Sequence, residues 1–188
     1  MARPKSEDKR NAIMDAATRA IVSHGLGAPT AMIAHEAGVS NGALFTYFET
    51  KSDLFNQLYL ELKTGMAAAV VVELPAGAGV KQQIAHMWSN WLAWASAHPA
   101  RRRALAQLNV SDEILPEQRV AANQIMSGLV ALMEKARANG PLRAAPLGFV
   151  VAIVNSLADA TIDIMAHDPA NAERHCQTGF DALWRVLN

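Results

Sequence analysis

Thr30-Ala-Met-Ile-Ala-His-Glu-Ala-Gly-Val-Ser-Asn-Gly-Ala-Leu-Phe-Thr-Tyr-Phe-Glu-Thr-Lys51 is the stretch that decides the fold. It reads as two short helices broken at Gly38 and Val39. Thr30 stands where a hydroxyl can cap the first helix, and Ile33, Ala34 and Ala37 share an inward face. Gly38 supplies the left-handed backbone that ends this helix at no steric cost. Ser40 is placed to cap the second helix, with Val39 and Leu44 turned back to pin it against the first. The outward positions Asn41, Gly42, Ala43, Phe45, Thr46 and Tyr47 are mostly small or hydrogen-bonding, so another backbone can come close. Two helices at this spacing form a helix-turn-helix, and the second is the candidate reader of a DNA major groove.

The run Ala34-x-x-Ala37-Gly38-Val39-Ser40-x-Gly42-x-Leu44-Phe45-x-Tyr47-Phe48-x-x-Lys51-x-x-Leu54 resembles the DNA-binding signature of the TetR (tetracycline repressor) family of bacterial regulators. The likeness covers roughly the first quarter to third of the chain, and it is specific because many residue types sit at fixed offsets. Phe45 departs from the pattern, standing where the family commonly has Tyr. It can offer DNA only apolar contact, for instance to a thymine methyl. The resemblance implies an all-α fold with an N-terminal three-helix DNA-binding unit, here residues 1–52. A ligand-binding and dimerisation bundle would follow over residues 53–188, dimerising through the last two helices. Beyond about residue 75 the likeness is one of layout alone.

Working outward, a chain of 188 residues can bury about 70% of its unfolded surface, so a stable core is feasible. A hydrophobic content of 51% with 18% charged residues describes a globular chain. Cys176 is the one cysteine, which precludes an internal disulfide and suits a reducing cytoplasm. Met1 to Arg10 lacks the apolar run of a secretory signal. The apolar stretch Leu147 to Ala166 contains Asn155, Asp159 and Asp163, which argues against a membrane span and for a buried or interfacial helix. The formal net charge is zero. Residues 1–51 carry six basic against five acidic residues, too small an asymmetry to use. The case for DNA rests on the motif, with Arg3 and Lys5 as a candidate basic arm.

Helical spacing recurs along the whole chain, and no segment shows strand alternation bounded by turns. Ser6, Glu7 and Asp8 open a helix that ends near His24-Gly25. Thr50-x-x-Asp53 resembles a capping box and opens a helix bearing Leu54, Leu58 and Leu62. Leu74-Pro75, Gly77 and Gly79 interrupt the chain. Further helices are expected over Val80–His98, from Pro99 to Val110, from Pro116 to Asn139-Gly140, over Leu147–His167, and from Asp168-Pro169 to the end. About nine helices result.

In the reading head, Thr30 and Ser40 present hydroxyls and free N–H groups suited to phosphate, alongside their capping role. Tyr47 and Lys51 match positions that, by the resemblance, reach the DNA backbone; the alternative for Lys51 is a solvated lysine. Asn41, Gly42, Ala43, Phe45 and Thr46 are the candidates to lie against base edges. Leu44 and Phe48 are core residues. One head makes too few base contacts, so two heads on a symmetric dimer, about 34 Å apart, would span a palindromic operator. Ile153, Leu157, Ala160, Ile164, Phe180 and Trp184 are the candidate dimer residues. The effector pocket is sought among aromatic and methionine side chains on apolar helices: Met87, Trp88, Trp91, Trp94, Asn123 and Met126, with Met133 beside them. For any single one of these, core packing is the simpler reading.

Asn155, Asp159, Asp163 and His167 form a polar ridge on one helix, read as a solvated face or polar seam and not a metal site. Arg101-Arg102-Arg103 reads as a solvated basic run. The function expected is therefore a cytoplasmic homodimeric regulator, a repressor released from palindromic double-stranded DNA by a small-molecule effector, with no cofactor, no metal and no membrane partner. The alternatives are a DNA-binding regulator without an effector, or an all-helical enzyme. Against the enzyme stand the lack of a nucleophile–base pattern, of a phosphate-binding glycine loop and of spaced metal ligands.

Overall fold

The computed structural model describes residues 6–188; the expected basic arm of Arg3 and Lys5 lies outside the described residues. Ten α-helices follow one another, with no strand among the described residues. They are α1 (Glu7–His24), α2 (Thr30–Glu36), α3 (Asn41–Tyr47), α4 (Lys51–Val70), α5 (Val80–Ala97), α6 (Pro99–Asn109), α7 (Pro116–Ile125), α8 (Ser127–Arg137), α9 (Leu147–His167) and α10 (Ala172–Leu187). A 3-10 turn over Pro169–Asn171 precedes α10. The all-α expectation holds, and the count exceeds nine for an identifiable reason. The helix opened by Pro116 does not run to Asn139. It breaks at Met126, whose φ of −85° and ψ of −2° leave the helical ladder, just before the Ser127-Gly128 pair that weakens helix propagation.

The chain divides into two compact units. The first holds the described residues up to Gly65 together with His98–Gln124. In it α1 packs against α2 and α6, and α2 against α3. Its core is made of Ile13, Ala16, Ala17, Ala20, Ile21, Ile33, Leu44, Phe48, Leu54, Phe55 and Leu58, all at or near complete burial. The alanines on α1 let neighbouring helices approach closely, and Gly25 closes α1 at φ +70° with its N–H donating to the Ile21 carbonyl at 2.9 Å. Polar ties fix the surrounding helices. Arg10 reaches Glu61 at 3.0 Å, with its guanidinium 5.9 Å from the Phe48 ring centroid. Gln107 on α6 donates to the Ile21 carbonyl at 3.1 Å.

The second unit holds Met66–Ala97 and Ile125–Asn188. Here α10 lies along α9, and α5 packs against α8, α9 and α10. These helices come close together at Gly179, where an added Cβ would fall 2.9 Å from Trp88 Cζ2 and would overlap Thr161. Trp88 donates its indole N–H to the Cys176 carbonyl at 3.0 Å, which locks α5 to α10. The α8–α9 connection is organised by the buried Arg137. It forms a forked pair with Glu134 at 2.9 and 2.7 Å and donates to the carbonyls of Leu142 and Ala145 at 2.6 and 2.8 Å. A buried guanidinium is tolerable only when satisfied in this way.

Candidate nucleic-acid interface

The turn between α2 and α3 forms as the sequence dictates. Gly38 sits at φ +68°, the Gly38 N–H donates to the His35 carbonyl at 3.1 Å, and the Val39 N–H to the Ala34 carbonyl at 3.0 Å. This is the Schellman pairing that satisfies the last carbonyls of a helix and needs a left-handed residue. Ser40 then caps α3, its Oγ accepting from the Ala43 N–H at 3.1 Å. Leu44 and Phe48 are fully buried, so the face of α3 on which they lie is fixed inward. Asn41, Gly42, Phe45 and Thr46 are exposed, and Ala43 and Tyr47 are half-buried. Nothing lies within 4 Å of the position a Gly42 Cβ would occupy. Phe45, at 41% exposure, is an aromatic ring presented outward from a rigid helix.

One expectation needs correction. Thr30 does not cap α2: the N-cap is Pro29, whose fixed φ of −67° and extended ψ let its carbonyl accept from the N–H groups of Met32 and Ile33. Thr30 is the first residue of the helix, and no side-chain cap bond forms there.

The flanking groups are held more firmly than the sequence alone suggests. The Tyr47 hydroxyl accepts from the Ser6 N–H at 3.2 Å, which ties the start of α1 to the end of α3 and leaves the hydroxyl proton available. This link spans 41 residues and has no local signal in the sequence. Thr46 Oγ1 donates to the Ala43 carbonyl at 2.7 Å, so toward a base it presents lone pairs and a methyl group. Thr50 Oγ1 accepts from the Asp53 N–H at 2.9 Å, as in a capping box. The return bond lands one residue early, Asp53 accepting from the Glu49 N–H at 3.0 Å. Lys51 begins α4 with its ammonium 5.3 Å from the Phe55 ring centroid and no carboxylate paired to it among the described residues. A lysine at a helix N-terminus works against the helix dipole, so its placement favours an anion beside it.

Residues 13–58, which contain this whole assembly, match the family model described as bacterial regulatory proteins, tetR family. Among solved structures, a tetR family transcription regulator from Shewanella sp. PV-4 superposes with a TM-score of 0.82 at 26% identity, covering 95% of this chain and 97% of that one. The helix-turn-helix unit thus matches the TetR family model, and the whole chain shares the fold of TetR family regulators. A second TetR family regulator, from Marinobacter aquaeolei VT8, gives a TM-score of 0.79 at 18% identity over 96% of both chains. FadR from Bacillus subtilis, solved in complex with stearoyl-CoA, gives 0.67 at 16% identity, covering 95% of this chain and 99% of that one. These last two show the shared TetR fold.

The remaining candidate residues fall in several settings. Trp88 is buried, and Trp91 meets it edge-on with centroids 6.2 Å apart. Met87 and Trp94 are also buried, and Met126 and Met133 are half-buried. Asn123 is exposed and belongs to the first unit, whereas the others belong to the second. On α9, Ile153 and Leu157 are half-buried, and Ala160 and Ile164 are exposed, Ile164 by 50%. Phe149, not anticipated from the sequence, continues the same stripe at 56% exposure. Phe180 departs from expectation: it is only 5% exposed, stacked on the half-buried Trp184 with centroids 6.4 Å apart. It closes the core of its own unit and so is not free to meet a second chain. Among the described residues no group of three or more His, Cys, Asp or Glu side chains is placed to hold a metal.

Proposed function

We propose that this TetR-family regulator acts as a homodimeric repressor in the cytoplasm, binding a palindromic operator and leaving it when a small molecule binds. The observation that carries the DNA reading is the two-sided character of α3. Leu44 anchors it, while Asn41, Gly42, Phe45 and Thr46 stand exposed and Ala43 lies half-exposed between them. Thr46 and Phe45 would face base edges, Thr46 through its acceptor oxygen and methyl group, Phe45 through thymine methyls. Thr30, Ser40, Tyr47 and Lys51 would contact phosphates and fix the register. Residues 1–52 would serve as the DNA-binding domain, and residues 53–188 would bind the effector and the second copy.

The dimer reading is supported by α9. This helix is long and apolar enough to cross a membrane by length and composition, yet only 28% of its apolar window is buried within the chain. A stripe of exposed Phe149, Ala160 and Ile164 with half-buried Ile153 among them, on a regulator that must read two half-sites, is best covered by a second copy. Leu157 and Trp184 would lie at its margin. Asp159 and Asp163 on the same helix favour a protein partner over lipid. The effector reading draws on FadR with its stearoyl-CoA and on the apolar Met87, Trp88, Trp91, Trp94 and Met126.

The test is binding of the purified protein to DNA flanking its gene. Footprinting should protect an inverted repeat whose half-sites are about one helical turn apart or a multiple of it, and light scattering should give the dimer mass. A strictly monomeric protein, or one indifferent to every inverted repeat at low salt, would overturn the reading.

A further inference from the structure

One face of α4 meets the 109–119 segment within the first unit, and its chemistry changes along its length. Ser52, Asn56, Tyr59 and Lys63 lie at helical spacing on that face. At the Asn56 end every polar group is matched. Asn56 is 3% exposed, donates to the Glu113 carbonyl at 2.9 Å, and accepts from the Leu115 N–H at 2.9 Å. One turn further on, the matching stops.

Tyr59 is only 5% exposed, and no hydrogen bond reaches its hydroxyl among the described residues. No buried side-chain oxygen or nitrogen lacks a partner, so the hydroxyl is the part of this ring that reaches an opening. The Lys63 ammonium lies 5.6 Å from the same ring's centroid. Arg119 on α7 is held in place by donating to the carbonyls of Asn109 at 2.9 Å and Ser111 at 2.6 Å, with donors left over. Neither cation is paired with a carboxylate among the described residues. Burial holds the Lys63 ammonium below its usual pKa, and the neighbouring Arg119 guanidinium lowers it further. Burial raises the Tyr59 phenol, and the same guanidinium partly offsets this. The Arg119 guanidinium lies near enough to act on both groups, so two like charges and an unbonded hydroxyl share one neighbourhood in which no carboxylate is paired to either cation among the described residues.

We propose that Tyr59, Lys63 and Arg119 form a binding site for an oxyanion, the carboxylate or phosphate group of a small organic ligand, seated between α4 and α7. Lys63 supplies a point charge, Arg119 a planar fork, and Tyr59 an O–H donor, which together suit three oxygens or two. The site lies outside the aromatic residues considered for the effector. Its consequence for DNA, that occupancy would be felt along the helix that begins with Lys51, rests on the regulator reading above; the binding does not.

The experiment measures the melting temperature of the full chain in sodium phosphate, sodium butyrate and sodium chloride at matched ionic strength, without DNA. Phosphate or butyrate should raise Tm saturably beyond chloride, by on the order of 5 °C at about a hundredfold excess over the dissociation constant. Which of the two does so identifies the acidic group. Lys63→Met should lose this shift, and without anion it should melt at the parent temperature or above it, because a half-buried, repelled charge has been removed. Tyr59→Phe should keep the fold and weaken the anion response severalfold. The proposal is overturned if neither anion exceeds chloride, if Lys63→Met keeps the shift, or if Lys63→Met alone lowers Tm, which would make the lysine a structural cation on Tyr59. Failure to bind DNA would leave these melting data untouched, so the two readings fail separately.

Discussion

Lys51 offers the sharpest test of how the reading head meets DNA. Its ammonium is steadied over Phe55 at 5.3 Å, at the N-terminus of α4, with no carboxylate paired to it among the described residues. If each head places this charge on one phosphate, Lys51→Gln removes two phosphate contacts from a dimer. The slope of log K against log salt should then flatten by about 1.8, at about 0.9 per contact, so between 50 and 200 mM salt the parent loses roughly 12-fold more affinity than the variant. Fluorescence anisotropy with a labelled operator, titrated at four or five salt concentrations, reads this directly. Tyr47→Phe is the matched control. It deletes a neutral hydroxyl that also receives the Ser6 N–H, so affinity should fall while the salt slope stays unchanged. The cation–ring contact contributes only about 0.5–1 kcal/mol at an exposed site, so Lys51→Gln should remain folded. An unchanged slope in a folded Lys51→Gln dimer would refute the phosphate assignment, however large the loss of affinity.

Other consequences can be measured separately. Thr46→Val keeps the methyl group and removes the acceptor oxygen, so it should change preference among operator variants more than it changes nonspecific affinity, as read by competition binding. Gly179→Ala forces a methyl group into Thr161 and Trp88 and should cost about 1–3 kcal/mol, seen as a lower midpoint in urea. Asn56→Ala strands the Leu115 N–H and the Glu113 carbonyl and should cost about 1–3 kcal/mol by the same measurement. Asp168 is held below its ordinary carboxylate pKa by hydrogen bonds from His175 and then Asn171. Its contribution is therefore present above that ordinary value and lost as pH falls through the depressed one. Asp168→Ala should lower stability modestly at pH 7 and approach the parent's stability as pH falls below about 4, so its acid-unfolding profile is flatter.

The reading head was legible because its signals are local. Gly38 must be left-handed, Ser40 caps three residues ahead, and Leu44 and Phe48 fall on one side of a helix by spacing alone. Where two local signals competed, the stiffer one won. Thr30 is a good cap by type, but Pro29 before it already has the cap's backbone angles. The break at Met126 was missed for the opposite reason: Ser127-Gly128 weakens a helix without forbidding it, and only packing decides. Groups that act over long separations left no trace in the sequence. Asn56 reads as an ordinary polar residue in an amphipathic helix until the 113–115 backbone is laid against it, and the same holds for Ser6 with Tyr47.

Periodicity could say that α9 and α10 are apolar, but not how that surface divides between one chain and two. Phe180 and Ile164 look alike in a helical pattern, yet one closes the core of its own unit and the other stands half exposed. The difference arises from what faces each residue. The tight packing at Gly179 draws α10 onto α9 and α5, which buries the Phe180 side of α10. Phe149 and Ile164, on a different side of α9, have no such neighbour to cover them. Replacing Ile164 with Asp should therefore leave the monomer fold intact, because that side chain contributes little to its own core, and should shift light scattering toward the monomer mass. Operator binding should weaken in parallel, since one head alone makes too few contacts. An Ile164→Asp protein that kept its dimer mass would place the interface elsewhere and remove the argument drawn from this stripe.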